Sequence, residues 1–329
     1  MSNKSKIVLI AAIAAVIVVA AGTAAWLWLS FSGPPKSARL LPEADAYIYI
    51  DLRPLRLASV FGSLPTVSRD PDYQAFVDAT GFQFERDLDE AAMAVHLPPA
   101  APAQASTRPT TPPETRYSEV FIGRFDLPRL QAYFKKNSKS VENEGSQEIF
   151  VVPVEDRLVR IALLSSSMGM VSNADDAGVI HGMIRQAHSF GAARGPELVR
   201  EHYKDVPLGS LAWLLARPGS NLPLPGGIEV PMPADTTWVG SLRYAGGIQL
   251  EAQALAANEQ EAQHITENLT SLLALFHSIE VNTQTRGADA DVKNVFASLN
   301  VRQEGNRAIV TATVPIGFLK KMASSAAAQ

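Results

Sequence analysis

The stretch Ala46-Tyr47-Ile48-Tyr49-Ile50-Asp51-Leu52 alternates in side-chain character from one residue to the next. This period of two predicts a β-strand with one buried face, and we expect Ile48 and Ile50 to lie on that face. A related stretch, Ala212-Trp213-Leu214-Leu215-Ala216-Arg217-Pro218, occurs later in the chain. The similarity indicates a duplicated unit, with a second lobe that begins near Val206.

Working outward from these strands, the pattern is one of strand pairs joined by short turns, with single helices between them. Helices are predicted from Asp70-Pro71 to Gly81, after the cap Asp126, over 174–188 and from the capping box of Asn258 and Glu261. Strands are predicted over 91–97, 117–124, 147–154, 158–164, 168–172, 236–244, 248–256, 298–303 and 307–314.

This order predicts an α+β fold, in which an N-terminal transmembrane helix is followed by two lobes of antiparallel sheet with helices packed on one face. Regular strand–helix alternation, which a parallel sheet needs, is missing. The predicted divisions are 1–36 for a cytoplasmic tail and anchor, 37–205 for a first lobe, 206–322 for a second lobe and 323–329 for a disordered tail. The Pro-rich segment 98–115 is predicted to be an extended loop within the first lobe.

The N-terminal segment Ile7–Phe31 is uncharged and is apolar or small except for Thr23 and Ser30. It exceeds the roughly 20 residues that a helix needs to cross a bilayer, so we expect an uncleaved signal anchor that contacts the membrane. The short basic tail before it favours a cytoplasmic N-terminus. The sequence therefore predicts a single-pass protein of the cell inner membrane, with the remaining residues in the periplasm or at the cell exterior.

Charge and motif content argue against several functions. Without Lys4, Lys6 and Lys36, the chain has 26 basic residues (29 − 3) against 33 acidic ones, a net charge of −7. An acidic domain without a basic patch does not favour nucleic-acid binding. Gly-rich phosphate loops, the Gly-x-Ser-x-Gly motif and cysteine are all absent from the sequence.

Two sets of titratable residues were candidates for metal or acid–base chemistry. His181 and His188 lie seven residues apart on one predicted helix, where a solvated polar face is the expected role. Asp87 and Asp89 alternate before a strand, where a polar turn is the expected role. We therefore predict no catalytic residue, no metal ligand and no cofactor-binding residue.

Three short segments carry a family resemblance: Leu41-Pro42 with Ala46-Tyr47 and Asp51-Leu52, Asp87–Ala92, and Gly123–Leu127. In their order they resemble uncharacterised bacterial membrane-anchored exported proteins of a domain-of-unknown-function class. The resemblance implies two related lobes and an envelope location, and it implies no catalytic residues.

The leading functional hypothesis is a membrane-anchored extracytoplasmic protein without catalytic activity, which serves as an interaction or accessory module of the bacterial envelope. One alternative is the binding or sensing of an apolar ligand or lipid between sheet and helices. The other is a hydrolase without a recognisable motif. Another envelope protein is the expected partner, and the Pro-rich segment 218–233 is its predicted contact. The contact residues are Leu222, Leu224, Ile228, Val230 and Met232.

Overall fold

A computed structural model describes most of the chain after residue 32. The described residues are 33–54, 71–97, 115–189, 194–217, 221–224, 228–231, 233, 235–245, 247–282, 294–295, 297–315 and 317. From Lys36 onward the chain forms one compact unit.

Fourteen strands lie in the described residues. Twelve of them form one antiparallel sheet in the order β13-β14-β12-β11-β8-β1-β2-β3-β7-β6-β5-β4, and β9 and β10 pair separately. Their bounds are β1 Ala46–Asp51, β2 Leu88–His96, β3 Arg116–Gly123, β4 Ser140–Glu144, β5 Gln147–Val154, β6 Arg157–Ser165, β7 Met168–Ser172, β8 Ala212–Ala216, β9 Asn221–Leu224, β10 Ile228–Pro231, β11 Thr237–Tyr244, β12 Ile248–Leu255, β13 Asn300–Glu304 and β14 Arg307–Val314.

The helices of the described residues are mostly short. They are α1 Lys36–Arg39, α2 Pro71–Thr80, α3 Phe84–Asp87, α4 Leu127–Asn137, α5 Gly178–His188, α6 Glu197–His202 and α7 Glu259–Asn282. Several begin where the sequence predicts. Asp126 accepts a hydrogen bond from the Arg129 backbone N–H at 3.2 Å. Asn258 Oδ1 accepts from the Glu261 backbone N–H at 2.9 Å, and the Asn258 side-chain amide donates to Glu261 Oε1 at 3.0 Å.

The sheet is continuous because β1 and β8, the two related strands of the sequence, pair with each other. Their antiparallel register places Ile48 opposite Leu214 and Tyr49 opposite Trp213. Outward from β1 the order is β2, β3, β7, β6, β5, β4, and outward from β8 it is β11, β12, β14, β13. The first five strands of the two halves follow one arrangement, which β5 and β4 extend in the half that contains β1. The prediction of two lobes with separate sheets was wrong.

The buried face of β1 is the reverse of the predicted one. Tyr47 and Tyr49 are 0% and 5% exposed, whereas Ile48 is 41% exposed. The Tyr47 hydroxyl accepts from the Ala44 N–H at 2.6 Å and donates to the Pro42 carbonyl at 3.0 Å. Because this hydroxyl has its hydrogen bonds inside the fold, the large ring can be buried without a desolvation cost.

Helices pack on both faces of the sheet, where the sequence predicted one. On the Tyr47 face, α5 and α6 bury Ile184 and Val199 in the largest apolar cluster. On the Ile48 face, α2 and α4 pack near Phe121, and α7 packs near Trp238 at the other half of the sheet. Neighbouring residues of a strand point to opposite faces of a sheet. Val120 belongs to the largest cluster and Phe121 to the cluster under α2 and α4, so these two clusters lie on opposite faces.

The membrane part of the predicted fold class is also not supported. Within the described residues, no helix has both the length and the apolar character that a membrane crossing requires. Ile7–Phe31, to which the transmembrane helix and signal anchor were assigned, lies outside these residues, as do most of the 98–115 loop and the 323–329 tail. What the structure gives is one large antiparallel sheet with few helices.

Candidate functional site

A cavity of about 310 Å³ lies between the sheet and the helices on the Ile48 face. Its floor comes from β3, β6 and β7, and its walls come from α2, α4 and the residues around α3. Gly169 lies opposite Phe121 across the β3–β7 pair, and a Cβ at Gly169 would stand 3.5 Å from Leu163. The missing side chain therefore leaves room over the floor.

Phenylalanine is the commonest residue in the described lining of the cavity, and we call this site the phenylalanine pocket. Phe84 is stacked on Phe76 with ring centroids 6.0 Å apart, and Phe82 meets Phe84 edge-on at 5.2 Å. The ring of Phe82 also lies 5.3 Å from that of Phe125. These contacts fix the rings relative to one another. The six phenylalanines that line the pocket are Phe76, Phe82, Phe84, Phe121, Phe125 and Phe134.

Among the described residues that line the pocket, Glu119 is the one that carries a charge. It lies on β3 between Met93 of β2 and Val171 of β7, so both strand neighbours on its face are apolar. Within the described residues, Glu119 forms no ion pair, and burial raises the pKa of its carboxyl to about 7. A carboxyl without a partner in an apolar cavity is poised to interact with a bound molecule.

Glu119 is the one titratable side chain among the described residues that line this pocket. General acid–base work by carboxylates needs a second titratable group whose pKa differs, and none accompanies Glu119 in this part of the lining. The described lining residues likewise include no serine, threonine or histidine. The arrangement is suited to binding an apolar molecule that carries one polar group.

Four of the five predicted partner-contact residues lie on the hairpin of β9 and β10. Leu222 lies opposite Val230, and Leu224 lies opposite Ile228, in the hairpin of β9 and β10. Met232 lies outside the described residues. A contact role for these five residues stays a prediction, as do the envelope partner and the envelope location.

His181 has a structural role that the sequence did not indicate. Its Nδ1 lies 2.7 Å from Glu144 Oε2, and its Nε2 lies 3.5 Å from Glu142 Oε2. The hydrogen bond with His181 lowers the pKa of Glu144. The solvated face predicted for this histidine was wrong, because α5 packs against the edge strand β4. His188, at the end of α5, is exposed.

Asp87 is likewise buried rather than part of a solvated turn. Burial alone would raise its pKa, but hydrogen bonds from the Arg86 side chain and from the Gln83 N–H outweigh that effect and lower it. The carboxylate thus bonds the residue before α3 to the last residue of that helix. Among the described residues, no group of three or more His, Asp or Glu side chains is placed to hold a metal ion.

A second apolar concavity, of about 470 Å³, lies over the centre of the sheet on the same face. We call it the open floor and define it by Ile48, Leu214, Leu242, Leu250 and Val310. Ile48, Leu214 and Leu250 are 41%, 38% and 39% exposed. Gly240 lies opposite Leu214 and adds no side chain to fill the space.

Sequence reasoning missed Glu119 and the pocket around it. Nothing in the spacing of Phe76, Phe121 and Phe134 along the chain shows that these rings meet. One signal was available: Tyr117, Glu119 and Phe121 share a strand face, so the charged residue breaks an aromatic alternation.

Comparisons with known proteins add little to this description. No protein-family model matches the chain, and no curated protein matches it. A solved structure described as "Structure of crystal form I of TP0453" has a TM-score of 0.45 and 10% identity, over 90% of this chain and 99% of that chain. Crystal form III gives the same TM-score and identity over 88% and 99%. A similarity of this degree carries no argument about function.

Proposed function

We propose that this chain is a non-enzymatic binding protein that holds an apolar ligand between its sheet and its helices. The observation that supports the proposal is the phenylalanine pocket, which is lined by six aromatic rings and measures about 310 Å³. Ligand sites in proteins are typically apolar concavities of about 300 Å³ or more with few polar groups, and this pocket fits that description.

The test is a calorimetric titration of the full chain with 4-phenylbutan-1-ol, a neutral probe with an aromatic body. We expect saturable binding at one site with a negative heat-capacity change, because apolar surface is buried. Val171 lines the pocket, so Val171→Trp should fill it and weaken binding by at least about tenfold.

Val141→Trp is the matched control, since Val141 is 36% exposed on the edge strand β4. It makes the same substitution outside the pocket and should leave the affinity unchanged. Absence of saturable binding to the parent chain would refute the proposal. Equal loss in both variants would show that the probe binds elsewhere.

An interaction module is the second proposed function, and the open floor is the observation that favours it. On the same face, α7 covers the neighbouring sheet around Trp238, and α4 covers the sheet around Phe121. An amphipathic helix of a partner protein would extend this helix layer over Ile48, Leu214 and Leu250. A photo-crosslinking residue at Leu214 should then capture a discrete partner, whereas one at Leu208, which is 84% exposed, should not. Equal capture at both positions would exclude this role for the floor.

A further inference from the structure

The lining of the phenylalanine pocket combines two kinds of group that favour the same charge in a ligand. The face of a phenyl ring carries negative electrostatic potential and attracts cations. Its described lining presents six such rings and one carboxyl, that of Glu119, and the other residues of this lining are uncharged. The phenyl rings and the carboxyl therefore both favour a positively charged ligand and both disfavour a negatively charged one.

Within the described residues, Glu119 has no ion pair on its own strand or on the neighbouring strands of the floor. Met93 and Val171 lie directly beside it on β2 and β7, and neither can donate a hydrogen bond to its carboxyl. The raised pKa of Glu119 results from burial rather than from a nearby charge. A ligand that brings a cationic hydrogen-bond donor would supply what this carboxyl lacks.

We infer that the pocket selects ligands with an apolar body and a positively charged ammonium group, which pairs with Glu119. This inference rests on the proposed ligand-binding function and adds the chemical class of the ligand. The apolar body packs among the phenyl rings, and the ammonium group lies at the carboxylate within reach of ring faces. A ligand with a carboxylate is disfavoured, because it would place a like charge beside Glu119 and among the negative ring faces.

Three probes with one body and different head groups test the selectivity: 4-phenylbutylamine, 4-phenylbutan-1-ol and 4-phenylbutanoate. Each is titrated into the full chain at pH 8.5, where the amine is protonated and Glu119 is ionised. We expect the amine to bind at least about tenfold more tightly than the alcohol, and the carboxylate to bind more weakly than either.

Glu119→Gln keeps the shape of the side chain and removes its charge. In this variant the affinity for the amine should fall at least about tenfold further than the affinity for the alcohol, so that the amine loses its advantage. Saturable binding of the alcohol to the variant shows that the pocket is intact. Glu304→Gln is the matched control, because it removes the same charge from an exposed side chain on β13 and should preserve the preference for the amine.

The outcomes separate the inference from the function on which it rests. If no probe binds the parent chain, both fail. If the alcohol binds as tightly as the amine, or if the preference for the amine survives in Glu119→Gln, the ammonium selectivity is refuted and apolar binding stands. The comparison of the three probes on the parent chain decides the question even if the variant does not fold.

Discussion

At the scale of single residues, Glu119 couples the stability of the fold to pH. The pKa of its carboxyl is about 7, against an ordinary value of 4.5. Between these two pH values the folded chain binds more protons at this site than the unfolded chain does. The free energy of unfolding therefore falls as pH rises through this window, and the penalty is complete above pH 7.

Glu119→Gln should remove that penalty. We expect the variant to be more stable than the parent by about 1–3 kcal/mol at pH 8 and equally stable at pH 4. Urea unfolding at both pH values measures the difference. Glu304→Gln, at an exposed position, should show no such change. A variant that is less stable than the parent at pH 8 would mean that the carboxylate has a partner in the fold.

Tyr49 and Ile48 are adjacent on β1 but contribute very differently to stability. Tyr49 is 5% exposed and is stacked on Trp213 at 5.4 Å, whereas Ile48 is 41% exposed. Tyr49→Ala should lower the free energy of unfolding by about 3–5 kcal/mol, and Ile48→Ala by about 1 kcal/mol. Chemical denaturation of both variants provides the comparison. A larger loss of stability for Ile48→Ala than for Tyr49→Ala would mean that the Ile48 face of β1 is the buried one, as the alternation of the sequence predicted.

At the scale of elements, the junction of α3, β2 and β3 depends on a glycine. A Cβ at Gly123 would lie 2.5 Å from the carbonyl oxygen of Asp87, which also accepts the Arg124 N–H at 2.9 Å. Because the obstacle is backbone, the two strands must move apart to admit a methyl group. The close approach explains why glycine ends β3 here.

Gly123→Ala should therefore destabilise the chain by about 1–3 kcal/mol. Gly182→Ala is the matched control within α5, where the new Cβ would meet only the Arg185 guanidinium, at 3.9 Å. Alanine favours the helix, so Gly182→Ala should stabilise the chain by about 0.5–1 kcal/mol. Opposite signs in thermal unfolding are the expected result, and a neutral Gly123→Ala would show that the junction is loose.

The elements also show what local sequence signals could predict. Caps such as Asp126 and the box of Asn258 and Glu261 act within a few residues, so their helices began where expected. The edge strand β4, Ser140–Glu144, was missed because its polar sequence lacks alternation. It pairs with β5 through a short turn, and Glu144 also bonds with His181 of α5, 37 residues away. Contacts of that range leave no local pattern, and the meeting of six phenylalanines from several elements is hidden for the same reason.

At the scale of the whole molecule, the two similar segments of the sequence pair with each other as β1 and β8, and we call this pairing the joint. The segments do not mark a boundary between two lobes. Ala46–Asp51 and Ala212–Ala216 were expected to lead separate lobes, and each pairs with the other in the middle of one sheet. An exposed strand edge leaves backbone N–H and C=O groups unpaired and open to other chains. Two related strands that pair with each other satisfy these groups. Tyr49 and Trp213 stack across this joint.

A continuous sheet should unfold as one cooperative unit. We expect a single calorimetric transition for the full chain, with equal calorimetric and van't Hoff enthalpies. Trp213→Ala removes a buried ring from the joint and should move the whole transition to lower temperature, whereas Leu208→Ala, at an 84% exposed position, should not move it. Two separate lobes would give two transitions, and Trp213→Ala would then shift only the one that contains β8. The pairing of β1 with β8 explains why one transition should move as a whole. The central strand of each half of the sheet has its second hydrogen-bonded neighbour in the other half, so neither half keeps a paired edge when the other unfolds.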